Sequence, residues 1–207
     1  MIVAAMRTEI QANNISRCLM VQKGYKSNYM TRMTDTILIP AWVDGTLTPV
    51  EKLDAHLRGL RHKAVSIFVM NSGRILIQQR AFHKYHTPGL WANTCCTHPA
   101  WNEAAETCAA RRLNEELGIK NLDCIHRAQL EYRADVGGNM IEHEVVDVFV
   151  ADAPDDMNIA PNPDEVHNVR WVTPAALQRE LKQTPRLFTP WLHIYMTEHF
   201  DRIIVSK

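Results

Sequence analysis

NEAAETCAARRLNEELG, residues 102–118, is the stretch on which the fold turns. Ala105, Ala109, Leu113 and Leu117 recur every four residues, the spacing that lines one face of an α-helix and gives it a side to bury. Asn102 can cap the start of this helix with its side-chain oxygen, and Gly118 can end it in a left-handed turn. Arg112, Glu115 and Glu116 share about 100° of arc, so the helix also carries a charged stripe. A stripe of this kind is commonly a solvated face with an ordinary ion pair.

Outward from the helix the period changes from four residues to two. Upstream, ILIPAWVDG from about residue 37, KAVSIFVM at 63–70 and RILIQQR at 74–80 read as antiparallel strands, with NSG as the turn between the last two. Downstream, strands are expected around 124–134 and 140–151, joined by DVGGN, with VRWVT at 169–173 as a shorter one. Pro174 and Pro190 are placed to open two further helices, because proline is preorganised for a first helical turn. The order is α+β: a mixed sheet with helices packed on its faces. The acidic, proline-containing stretch 152–165 reads as a solvated connection without chemistry of its own.

Composition narrows the function classes. Of 207 residues, 46% are hydrophobic and 22% charged, which provides a core and excludes wholesale disorder. Lys plus Arg equal Asp plus Glu at 23 each, so no global field recruits nucleic acid or an anionic membrane, and any anionic partner must be met locally. No run approaches the roughly 18 apolar residues of a membrane-spanning helix. The five cysteines are odd in number and include no CxxC pair, which argues against a disulfide framework and for a reducing, cytoplasmic setting. Residues 1–32, with five basic side chains and one acidic, read as an extension ahead of a start at Met33, leaving 33–207 as one domain. Nothing signals an obligate protein partner.

Three segments carry candidate chemistry. NTCCTHP, residues 93–99, sets a thiol two residues before His98 in the loop ahead of the main helix; the alternative is a pair of small buried hydrophobes and a surface imidazole. In MIEHEVVDVFV, Glu142 and Glu144 lie on the same face of a strand as Val146 and Val148. Carboxylates beside a buried apolar face need compensation, by a cation, by protonation or by exposure at an edge. His56 and His62 in KLDAHLRGLRH stand on different faces of any helix, so a loop entering a strand must bring them together. With His98, Glu142 and Glu144 they make three imidazoles and two carboxylates, a set suited to a five- or six-coordinate divalent ion.

Glu103, Arg111 and the run Glu115-Glu116-Leu117-Gly118-Ile119 resemble the Nudix box, GX5EX7REUXEEXGU with U aliphatic. Thr97 stands where that box begins with glycine, and Arg112 replaces the glutamate after the arginine. Since those carboxylates hold magnesium for hydrolysis, the cation puts hydrolysis in doubt while keeping an attraction for diphosphate. The ordered motifs HLRGLRH, RAFHKYHTPGLWANTCCTHP, RRLNEELG, EYRA, EHEV and FTPW then resemble the type 1 isopentenyl diphosphate isomerases over about residues 50–195.

That resemblance implies a Nudix-like fold and an isomerase that moves a double bond in a small diphosphate through protonation and deprotonation. It implies Cys96 and Glu144 as the proton-transfer pair, Tyr132 assisting Glu144, and Trp191 facing the carbocation-like species. It implies His56, His62, His98, Glu142 and Glu144 as ligands of a divalent ion, manganese, zinc or magnesium, and Glu116 as the residue for a magnesium that arrives with substrate. Lys52, Arg80, Lys84 and Arg112 would hold the diphosphate. The rival readings are a Nudix diphosphate hydrolase and a non-catalytic module that binds a phosphorylated ligand.

Overall fold

Two tight turns set the register of the first half of the sheet. The structure, a computed structural model, describes residues 37–204. Strand β1 (Leu38–Val43) returns as β2 (Thr46–Glu51), and β3 (Arg61–Asn71) returns as β4 (Arg74–Arg80). Ser72 and Gly73 between the latter pair have φ of 48° and 72°, the two left-handed residues that let a two-residue hairpin follow strand twist. Between β2 and β3 lies the short helix α1 (Lys52–Leu57), capped by Glu51, whose carboxylate accepts the Asp54 N–H at 2.8 Å.

After β4 come the short strands β5 (Trp91–Ala92) and β6 (Cys95–Thr97), then the main helix α2 (Ala105–Leu117). The long hairpin of β7 (Ile125–Gly137) and β8 (Met140–Asp152) follows, then β9 (Val166–Val172) and helices α3 (Pro174–Gln183), α4 (Pro190–Glu198) and α5 (Phe200–Ile203). All nine strands among the described residues join one mixed sheet. Its axis is β3, which pairs antiparallel with β6 and parallel with β8. The expected α+β architecture is present, and Pro174 and Pro190 open their helices as expected.

Alternation along β3 makes two cores. Val65, Ile67 and Val69 pack with Cys95, Cys108, Ala109, Leu113 and Leu117, so the apolar face of α2 seals one side of the sheet. Ala64 and Phe68 point the other way, to Val146 and Val148 of β8 and to Leu177, Trp191 and Tyr195 of α3 and α4.

Helix α2 ends at Gly118 with φ of 66°, and a Cβ there would meet Ala160 at 2.9 Å, so glycine is needed for both conformation and space. Its start differs from the expectation. Ala104 is the N-cap and Asn102 lies in a turn with φ of 67°. No side chain caps this helix, and Glu103 instead closes the preceding turn, accepting the Ala100 N–H at 2.8 Å. The expected extension over residues 1–32 lies outside the described residues. Among those described, no helix is long and apolar enough to cross a membrane, and Cys95, Cys96, Cys108 and Cys124 are free thiols.

Candidate active site

The strand period delivers the carboxylates. Glu142 and Glu144 point to one side of β8, while His143 between them turns outward toward Glu131. The parallel register sets Glu144 beside His62 of β3, and the antiparallel register sets it beside Tyr132 of β7. His56 arrives from α1 and His62 from the start of β3, with the turn at Gly59 between them. His98 follows β6.

Four of these residues, His56, His62, His98 and Glu142, bring one ligand atom each within 4.8 Å of one another, and all four are buried. The Nε2 atoms of His56, His62 and His98 lie 3.1, 3.4 and 3.7 Å from Glu142 Oε2. Yet none of these atoms makes a hydrogen bond among the described residues. The reason lies at the far side of two rings. His56 Nδ1 sits 2.5 Å from the Lys52 carbonyl and His62 Nδ1 2.7 Å from the Leu60 carbonyl. A carbonyl only accepts, so each Nδ1 carries the hydrogen and each Nε2 presents a bare lone pair to a carboxylate. Lone pairs facing a buried anion repel unless a cation lies between them, so the donor set fits a divalent ion.

Electrostatics separates the two carboxylates. Burial works to raise the Glu142 pKa, and only hydrogens or positive charge on the side of His56, His62 and His98, the place a cation would take, bring it below the usual carboxylate value. For Glu144, burial and then the neighbouring Glu142 charge both raise it well above that value. Its Oε1 lies 3.1 Å from His98 Nε2, and its Oε2 accepts the Tyr132 hydroxyl at 2.5 Å.

Alternation across β6 divides the two adjacent thiols. Cys95 is fully buried in the α2 core, whereas Cys96, beside Ser66 in the β3 register, lines the cleft. Its Sγ donates to Asn93 Oδ1 at 2.8 Å and lies 3.2 Å from Ser66 Oγ. Asn93 is fully buried and its Nδ2 serves Ser66 Oγ and the Ile67 and Cys95 carbonyls, which fixes the amide so that Oδ1 faces the sulfur. Burial, against the Ser66 hydrogen bond, pushes the Cys96 thiol up.

The cations gather at the mouth. Lys52, Arg80, Lys84 and Arg112 line the same cleft from α1, β4, the loop after β4 and α2. Burial and the neighbouring Arg112 lower the Lys52 pKa, so the cluster is held under mutual repulsion. Arg112 bonds Glu116 Oε1 at 2.6 Å, and Gln78 holds Glu116 Oε2 at 2.9 Å. Trp191 is buried on the α4 side of the cleft, with the Arg80 guanidinium 5.4 Å from its ring centre.

The structure thus gathers every residue given a catalytic, substrate-binding or metal role at one cleft or, for His56 and His62, immediately beneath it, while Glu103, Arg111 and Glu115 of the helix pattern lie outside it. Sequence reasoning passed over Ser66, Asn93, Gln78, His86 and Glu165. The stretch 152–165 is not chemically neutral: Glu165 closes it by pairing with Lys84 and lies 3.4 Å from Arg112. Ala160 and Asn162 donate to the Leu117 and Glu116 carbonyls, docking the loop on the end of α2. Asn93 stands inside NTCCTHP and His86 inside RAFHKYHTPGLWANTCCTHP, so both lay within motifs in hand.

Residues 60–192 match the NUDIX domain family. An isopentenyl-diphosphate Delta-isomerase of Cereibacter sphaeroides is 63% identical over 166 residues, covering 80% of this chain and 94% of that protein. The protein of the same name from Roseobacter denitrificans is 63% identical over 164 residues, covering 79% and 93%. Among solved structures, DR0079 from Deinococcus radiodurans superposes with a TM-score of 0.62 at 18% identity, covering 77% of this chain and 96% of that one. A MutT NUDIX hydrolase from Burkholderia pseudomallei gives 0.52 at 21% identity, covering 67% and 98%. These two similarities speak for the fold alone.

Proposed function

This chain belongs to the isopentenyl-diphosphate Delta-isomerases of the Nudix superfamily, and from that premise we propose that Glu144 and Cys96 carry its two proton transfers. The enzyme interconverts isopentenyl diphosphate and dimethylallyl diphosphate. Residues 33–207 would constitute the isomerase domain.

The observation that carries this reading is the shared cleft: a thiol from β6 and a Tyr132-bonded carboxyl from β8 reach it from opposite flanks of β3. Forward reaction needs a proton on the terminal alkene carbon and the loss of another from the neighbouring methylene. Glu144 suits the first step, because burial and Glu142 bias it toward its protonated form and Tyr132 holds it in place. Cys96 suits the second. For this step it must stand as the thiolate, its proton given up to solvent before substrate binds; burial makes that thiolate a strong base, and the Ser66 hydroxyl is within reach to stabilise it. The roles exchange in the reverse direction.

Trp191 would face the positive charge that develops between the two transfers. An indole face attracts a desolvated cation by about 2 kcal/mol, more than tenfold in rate. Lys52, Arg80, Lys84 and Arg112 would hold the diphosphate through charge-assisted bonds and so fix the hydrocarbon tail between sulfur and carboxyl. His56, His62, His98 and Glu142, with Glu144, would hold the divalent ion, which when bound neutralises the buried carboxylate charge and fixes the Glu144 carboxyl. Three nitrogen donors and carboxylate oxygens suit manganese, zinc or magnesium. Glu116 would serve a magnesium brought in with the substrate.

The test is incubation with isopentenyl diphosphate and magnesium in deuterated water. Dimethylallyl diphosphate carrying deuterium is expected, with no release of phosphate, and Cys96→Ala and Glu144→Gln should each abolish the uptake. Full uptake by a folded Cys96→Ala variant would overturn the assignment.

A further inference from the structure

His86 has no part in the chemistry above, yet it is buried between its two halves. It sits in the loop between β4 and β5, 6% exposed, with its ring stacked 5.8 Å from His56 and edge-on to Trp191 at 6.1 Å. Its Nδ1 lies 3.3 Å from Arg80 Nη2 and 3.1 Å from Thr87 Oγ1. Its Nε2 lies 3.3 Å from Glu142 Oε1.

The tautomer follows from donor arithmetic. A guanidinium only donates, so Nδ1 must accept from Arg80, and the ring hydrogen resides on Nε2, the nitrogen that lies 3.3 Å from Glu142 Oε1. Arg80 Nη2 also donates to the His86 carbonyl at 3.2 Å, which holds the loop backbone and the ring as one unit. Glu142 is thereby divided. Its Oε2 faces three imidazole nitrogens, those of His56 and His62 bare, while its Oε1 lies 3.3 Å from a fourth imidazole that stands outside the four-residue cage.

We infer that His86 is a positioning residue that ties Arg80, at the diphosphate-binding cluster, to the Glu142 carboxylate of the cation cage. The inference rests on the cage and cluster assigned above. Without the Nε2–H, Glu142 can rotate about its terminal torsion and no longer presents Oε2 to the cage. Groups that orient a ligating side chain in this way commonly contribute roughly 10- to 100-fold in metal affinity. The linkage must also be reciprocal: an anion that engages Arg80 changes affinity at the cage, and the cage occupant changes affinity for the anion by the same factor.

Manganese titration of the metal-free full-length protein, with free Mn2+ followed by electron paramagnetic resonance and no substrate present, tests this directly. His86→Leu, which keeps bulk and removes the donor, should weaken binding by roughly 10-fold or more, and His86→Gln, whose amide can donate, should recover most of it. A folded His86→Leu variant that binds manganese within about twofold of the native chain overturns the inference, as does equal loss in Leu and Gln. His62→Ala separates this failure from that of the cage: if it too binds manganese normally, the cage reading itself falls. Nitrogen-15 NMR of the metal-free native protein provides a readout that needs no variant of His86. The expected signature is a protonated Nε2 and a bare Nδ1, and the opposite tautomer overturns the proposal.

Discussion

Two buried carboxylates, Glu142 on β8 and Glu116 on α2, stand at the same cleft and are satisfied in opposite ways. Glu116 is neutralised within the chain, one oxygen held by Arg112 at 2.6 Å and the other by Gln78 at 2.9 Å. Glu142 faces three imidazole nitrogens across 3.1 to 3.7 Å with no hydrogen on His56 or His62 to bridge the gap. The first arrangement is at rest as it stands, and a metal there must compete with an arginine. The second sets lone pairs against negative charge in a dry place, a repulsion that a cation would relieve. On the proposed reading the cage would hold a resident ion, and the helix site one that arrives with enough phosphate charge to draw Arg112 away.

The largest expected effect tests this contrast at its root. His62→Ala should reduce tightly bound divalent metal from about one per chain to near zero by elemental analysis after dialysis, because removing one of three nitrogen donors would leave too few ligands to retain the ion. Glu116→Gln should leave that metal in place and instead raise the magnesium concentration needed for half-maximal activity. Equal loss of resident metal in both variants would erase the distinction between the two regions.

Arg112 sharpens the same contrast from the helix side. Its guanidinium engages Glu115 and Glu116 and approaches Glu165 at 3.4 Å, so in the free enzyme it is overcommitted to carboxylates. Charge-assisted bonds of about 1.5–3 kcal/mol to a phosphate would correspond to a KM for isopentenyl diphosphate about 10- to 100-fold higher in Arg112→Gln. The resident metal should be unchanged. A kcat loss at constant KM would place Arg112 at the reacting carbon instead of the diphosphate.

How much of this was legible in the sequence depended on whether the cause was local. The Ser72–Gly73 hairpin, the helix stop at Gly118 and the two-residue alternation of Glu142 and Glu144 are set by neighbours in the chain, and all were readable. Asn102 does not cap the helix because it sits in a left-handed turn two residues ahead of the N-cap Ala104, a backbone conformation that residue types alone do not fix. Glu165 looked like part of a solvated acidic loop, since its partners Lys84 and Arg112 lie on other elements and only tertiary docking joins them. Ser66 and Asn93 were invisible for the same reason: a serine in an apolar strand gains meaning only when the register of β3 and β6 sets Cys96 beside it. Periodicity shows which face a residue occupies, and only the sheet register shows what it meets there.

The smallest effect concerns the outer limb of the helix pattern, where Arg111 bonds both oxygens of Glu103 at 2.7 Å. This pair resembles neither carboxylate at the cleft, because it is partly exposed and touches no proposed substrate group. The Arg111 hydrogen bonds, against a weaker desolvation effect, hold the Glu103 pKa below its ordinary 4.5. A lowered folded pKa contributes stability that is present above the ordinary value and is lost as pH falls through the folded one. Glu103→Gln should therefore lower Tm at neutral pH by on the order of 2 °C, and the difference from the native chain should shrink as the pH is taken well below 4.5. Because the pair fixes the start of α2 and not the cleft, resident metal and KM should stay at native values. A change in either would join the outer limb to the active site and leave the cage as the only region with a separable function.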